Sequence, residues 1–125
     1  MKKDLDEVVD KIKSFEEVQF IILYGSSAEE RMTDESDVDM CVGYDGDKEG
    51  ASRFRYEILS ELFADEYDVQ IFQLLPLYVR KEVLRGEVLY CRDKRELYDI
   101  AYGLIREFDD FKHRYYDYIG KEAIA

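Results

Sequence analysis

Leu5, Val8, Val9, Ile12 and Phe15 recur three and four positions apart, the period of a helix with one buried face. The run from Val18 to Tyr24 is almost continuously apolar, β-branched and aromatic, which predicts a strand buried on both sides. Gly25 ends it. Ser26 to Met32 carries a helix-start signature, with Ser26 able to cap the first turn and Glu29 three residues on to complete a capping box. Asp37 to Val42 alternates acid with apolar residue and predicts a second strand. Tyr44 to Gly50, with Gly46 and Gly50, reads as a turn-rich loop before a helix from about Ala51 to Phe63. Tyr67 to Phe72 is a third strand. After Leu74, Leu75 and Pro76 a helix runs to about Arg85, and beyond Gly86 lies a short extended piece, Glu87 to Cys91. A long helix is expected from Lys94 to Ile119, where Leu97, Ala101, Leu104, Phe108, Phe111, Tyr115 and Tyr118 form a seam at alternating spacings of four and three. Such a seam packs on a sheet or on another helix. Core packing is the default expectation, and this helix is also where a homo-oligomer would form.

The order αβαβαβαβα predicts an α/β or α+β domain, a small sheet flanked by helices. With 125 residues and 46% hydrophobic content, one core and a single domain over residues 1–125 are expected. No window approaches the roughly 18 apolar residues of a membrane span, and the charged N-terminus has no apolar signal region, so a soluble cytoplasmic protein is expected. Cys41 and Cys91 have no metal-ligand spacing and read as reduced thiols.

Charge changes the picture of partners. The net charge of −12 is carried by residues 1–79, with 8 Lys/Arg against 20 Asp/Glu, while residues 80–125 hold 10 of each. An acidic surface repels a phosphate backbone, so no nucleic-acid partner is expected. It suits a basic protein partner, or a polyphosphate accompanied by a divalent cation.

Three aspartate pairs share the spacing Asp-x-Asp. Asp4 and Asp6 open a helix, and Asp45 and Asp47 lie in a turn, both ordinary structural settings. Asp37 and Asp39 have no such setting. On a strand they project to one side about 7 Å apart, while Val38, Met40 and Val42 face the core. Two adjacent ionised carboxylates repel unless a cation sits between them, and Mg²⁺ favours one or two carboxylates plus phosphate oxygens. In the third strand Val69 and Ile71 take the buried side, leaving Asp68 and Gln70 on the other. If that strand pairs beside the second, Asp68 joins the cluster as a third carboxylate able to hold metal or accept a proton. A half-solvated sheet face alone would show the same alternation. Gly25 and Ser26 shift the balance: a residue without Cβ lets phosphate approach the backbone, and a helix opening at Ser26 offers free N–H groups and a hydroxyl to an anion.

Gly25-Ser26 followed by Asp37-Val38-Asp39 resembles the signature of the minimal nucleotidyltransferases of the DNA polymerase β-like superfamily, in which Gly-Ser is followed after ten residues by Asp-x-Asp. The apolar strand before Gly25, the form Ser36-Asp37-Val38-Asp39, the later Asp68, the stretch Leu74 to Asp93 and the tyrosine-rich last helix extend the likeness over nearly the whole chain. Such proteins are similar to the antitoxin half of toxin–antitoxin pairs whose toxin is a helical HEPN ribonuclease. The resemblance implies a polymerase β-like fold with a small mixed sheet, and transfer of AMP from ATP, with Mg²⁺, to a tyrosine of the toxin. It implies Asp37, Asp39 and Asp68 as catalytic metal-binding carboxylates, and Gly25, Ser26 and Ser36 as nucleotide-binding residues.

One residue departs from the pattern. The family often has Arg three positions after the serine, where this chain has Glu29, and an acid cannot neutralise phosphate there. Arg106, His113 and Tyr115 mimic the toxin's own Arg-x(4–6)-His-x-Tyr signature, but a chain of this length with several strands has no room for the helical bundle that signature needs. Two alternatives remain open: a catalytically weak module of this fold that neutralises a partner by contact, and transfer to a small-molecule hydroxyl such as an antibiotic.

Overall fold

A computed structural model describes residues 5–25, 38–62 and 67–123, with side chains described as far as residue 61 in the second span and residue 111 in the third. The predicted helix over Ser26 to Met32 lies outside the described residues. Helix α1 (Leu5–Lys13) leads to β1 (Val18–Leu23), and β2 (Val38–Tyr44) is followed by α2 (Lys48–Leu62). Next come β3 (Tyr67–Ile71), a 3-10 turn (Phe72–Leu74), α3 (Leu77–Val83), β4 (Glu87–Cys91) and α4 (Lys94–Ala123).

The four strands form one mixed sheet in the order β3-β2-β1-β4. β1 sits inside it, antiparallel to both neighbours, and β2 and β3 run parallel. The central place of β1 explains its continuous apolar run. An irregularity between Val18 and Phe20 shifts the alternation, so Val18, Ile21 and Leu23 face one layer while Phe20 and Ile22 face the other. The first layer is closed by α1 and α2 through Val8, Val9, Ile12, Ala51, Phe54 and Ile58. The second is closed by α3 and α4, where Val83 and Leu104 meet Phe20, Ile22, Cys41 and Phe72.

Helix α2 begins three residues before the expected Ala51. Asp47 is the cause: its Oδ1 accepts a 2.7 Å hydrogen bond from the Gly50 N–H and its carbonyl a 2.9 Å bond from Ala51, so this aspartate caps a helix instead of occupying a loop. The piece after Gly86 is a full strand, with Glu87 opposite Leu23 and Cys91 opposite Phe20. A Cβ on Gly86 would stand 2.1 Å from the Leu23 carbonyl oxygen, so only glycine admits this close approach. The first half of the α4 seam packs as expected, with Leu104 buried and Leu97 against the second layer, but Phe111 is exposed. Lys81 lies 4.4 Å from the Phe108 ring centroid and Arg80 lies 3.8 Å from Glu107, joining α3 to α4. Cys41 is buried, and both cysteines are free thiols. No helix among the described residues is long and apolar enough to cross a membrane.

Candidate active site

The parallel pairing of β2 with β3 does the decisive positioning. Its register sets Val38 opposite Tyr67, Asp39 opposite Asp68 and Met40 opposite Val69. Neighbouring strands lie about 4.8 Å apart. Val38, Met40, Tyr67 and Val69 all enter the first core layer, so alternation sends Asp39 and Asp68 together to the other side of the sheet. That side is covered at Cys41 by α3 and α4 but left half open where the two strands begin.

The end of β1 meets the same place. Leu23 is opposite Met40, and the Tyr24 N–H donates to the Asp39 carbonyl at 3.1 Å. Gly25 has φ +65°, in the left-handed region, and a Cβ added there would stand 2.9 Å from Oδ2 of Asp39. The missing side chain therefore leaves room directly against one carboxylate oxygen. Two acids side by side, bordered by a glycine that keeps the carboxylate approachable, form a donor set suited to a hard divalent cation and the phosphates it accompanies. Ser26, Ser36 and Asp37 lie outside the described residues, as does Glu29.

Periodicity did not single out two further groups at this site. Tyr24 lies half-buried against the second core layer, on the side that carries the acids. Burial first, then the neighbouring Cys41, Asp39 and Asp68, push its phenol up to about 12, so it stays neutral at ordinary pH. Burial also raises the Cys41 thiol, which keeps it protonated and inert. Arg55 reaches in from α2: its Nε donates to the Val69 carbonyl at 2.8 Å and its Nη2 lies 3.9 Å from Oδ1 of Asp68. Gln70, two residues along β3, donates to the same Oδ1 at 3.0 Å. The only signal for Gln70 was strand alternation. Arg55 had none, since it adjoins the buried stripe of α2 and looks like any flanking basic residue.

Comparison with known proteins agrees with this geometry. Residues 6–95 match the family model described as polymerase beta, nucleotidyltransferase. A Methanocaldococcus jannaschii protein provisionally named a protein adenylyltransferase is 35% identical over 95 residues, covering 75% of this chain and 72% of its own. The fold matches a chain from a complex of tri-AMPylated Shewanella oneidensis HEPN toxin with MNT antitoxin, at a TM-score of 0.65, 17% identity and full coverage of both chains. It also matches a chain of a toxin–antitoxin structure with AMP-PNP, at a TM-score of 0.68 and 18% identity over 97% of this chain and 99% of that one. With that family model matched over residues 6–95 and a relative 35% identical, the chain belongs to the polymerase beta nucleotidyltransferase family.

Proposed function

We propose that this chain transfers AMP from ATP to a tyrosine hydroxyl of a protein partner, a HEPN-type toxin, and so acts as its antitoxin. The observation that carries the reading is the in-register pairing of Asp39 with Asp68 beside the side-chain-free face of Gly25. The names of the similar proteins support it: one is provisionally named a protein adenylyltransferase, and another belongs to a complex in which the toxin is AMPylated.

Asp37, Asp39 and Asp68 would hold Mg²⁺, which when bound neutralises charge on the phosphates. Gly25 admits the triphosphate close to the backbone, and Ser26 with Ser36 donates hydrogen bonds to it. Asp68 accepts the proton of the tyrosine hydroxyl as the phenolic oxygen attacks the α-phosphorus. A new oxygen–phosphorus bond forms in line with the bond that breaks, and pyrophosphate leaves. Alignment of acceptor and nucleotide accounts for most of the protein's contribution.

The test is incubation of the purified chain with α-labelled ATP, Mg²⁺ and a purified HEPN-type toxin. Label on a toxin tyrosine, located by mass spectrometry, is the expected result. Protection from the toxin that survives Asp37→Asn combined with Asp39→Asn, without any label, would replace transfer with inhibition by contact.

A further inference from the structure

Asp68 stands in a frame of two side chains, Gln70 and Arg55. It lies on β3, at the edge of the sheet, with 43% of its side chain exposed, where an aspartate would ordinarily sample several rotamers. Gln70 reaches its Oδ1 along the strand, and Arg55 approaches the same oxygen from α2. Arg55 is itself fixed at two levels. Its helix is anchored by buried Ala51, Phe54 and Ile58, and its Nε is bound to the Val69 carbonyl on the outer side of the edge strand. One arm of the guanidinium holds backbone while the other points at the carboxylate, a division of labour available to a planar fork and not to a single ammonium.

We propose that Arg55 and Gln70 are positioning residues that pin Oδ1 of Asp68, so that Oδ2 is presented as the working oxygen for the acceptor's proton. The inference rests on the reading of Asp68 as the acceptor-side carboxylate. Both contacts fall on one oxygen, which removes the equivalence of the two carboxylate oxygens and defines the direction from which a hydroxyl is met. A base that must lie within hydrogen-bond reach of an attacking oxygen loses rate steeply when it is displaced by as little as 1 Å.

The test compares Asp68→Asn, Arg55→Lys, Arg55→Gln and Gln70→Leu, with Arg53→Gln as a control on the exposed face of α2, where Arg53 pairs with Glu49 at 3.5 Å. Four quantities are measured: the single-turnover rate of AMP transfer at saturating ATP and Mg²⁺, the ATP half-saturation, Mn²⁺ affinity in the presence of AMP-PNP, and thermal stability. Arg55→Lys, Arg55→Gln and Gln70→Leu are expected to slow transfer about 10- to 100-fold, with ATP half-saturation unchanged and Mn²⁺ affinity weakened less than in Asp68→Asn. Arg53→Gln should match the parent. A wild-type rate in Arg55→Lys would show that charge alone suffices and overturn the proposal, as would a wild-type rate in Gln70→Leu. A loss confined to ATP half-saturation would make Arg55 a phosphate contact and overturn it equally. If Arg55→Gln fails to fold, the lysine and Gln70 variants decide the matter. Full activity in Asp68→Asn would instead remove the reading of Asp68 on which this inference stands.

Discussion

The two ends of the sheet handle charge in opposite ways. At the end where β1 starts and β2 and β4 finish, Arg92 gathers its partners completely. Its Nε donates to Glu96 Oε1 at 2.9 Å, Nη1 to the Glu16 carbonyl at 2.6 Å, and Nη2 to Asp45 Oδ2 at 2.9 Å and Glu96 Oε2 at 2.7 Å. These contacts tie the α1–β1 connection, the end of β2 and the first turn of α4 to the end of β4, and the bonds to Glu96 and Asp45 raise the guanidinium's proton affinity further. At the other end two acids stand side by side on adjacent strands, and Arg55 reaches one of them, Asp68, at 3.9 Å. One end gathers acids around an arginine; the other sets two acids abreast, the arrangement a divalent cation favours.

Replacing Asp39 with Asn should break the working end without harming the fold. Transfer of AMP is expected to fall by about 10²- to 10³-fold in a label-transfer assay. The melting temperature should stay within a few degrees of the parent, because relief of the repulsion from Asp68 offsets the contacts that the lost charge makes. A variant that lost activity and melted early would erase the distinction between the two ends. Arg92→Ala should do the reverse: a loss of about 1 to 2 kcal/mol in denaturant unfolding, limited by the exposure of its partners, with the transfer rate intact well below the melting point. The smallest effect is expected from Tyr24→Phe. The native phenol titrates near 12 against about 10 in an unfolded chain, so its contribution is fully present below pH 10 and is lost between 10 and 12 as the unfolded state ionises first. The phenylalanine variant should therefore lose less stability across that window, as read by chemical denaturation at each pH.

Periodicity was sufficient for the described helices and strands because burial writes itself directly into residue spacing. It placed β1 inside the sheet through its unbroken apolar run, and it put Asp68 and Gln70 on one side of β3. It could not say that β2 and β3 run parallel with Asp39 facing Asp68, since pairing is a property of two distant segments and only the resemblance to a family implied it. The start of α2 was misplaced because Gly46 and Gly50 suggest a turn while Asp47 between them acts as a cap. Arg55 stayed invisible for a related reason. Its partners are a backbone carbonyl on another element and a side chain 13 positions away, and neither leaves a local trace.

Parallel strands must start from the same rim of a sheet, and this has a consequence for how such a protein can vary. The chain leaves β2 at the far rim and returns through α2 before it begins β3, so the length of that excursion does not enter the distance between Asp39 and Asp68. Turns of helix can be added to or removed from the crossover while the two acids stay abreast, provided that the ladder from Val38–Tyr67 to Val42–Ile71 is kept. The proposed catalytic pair is thereby insulated from the part of the molecule most free to change.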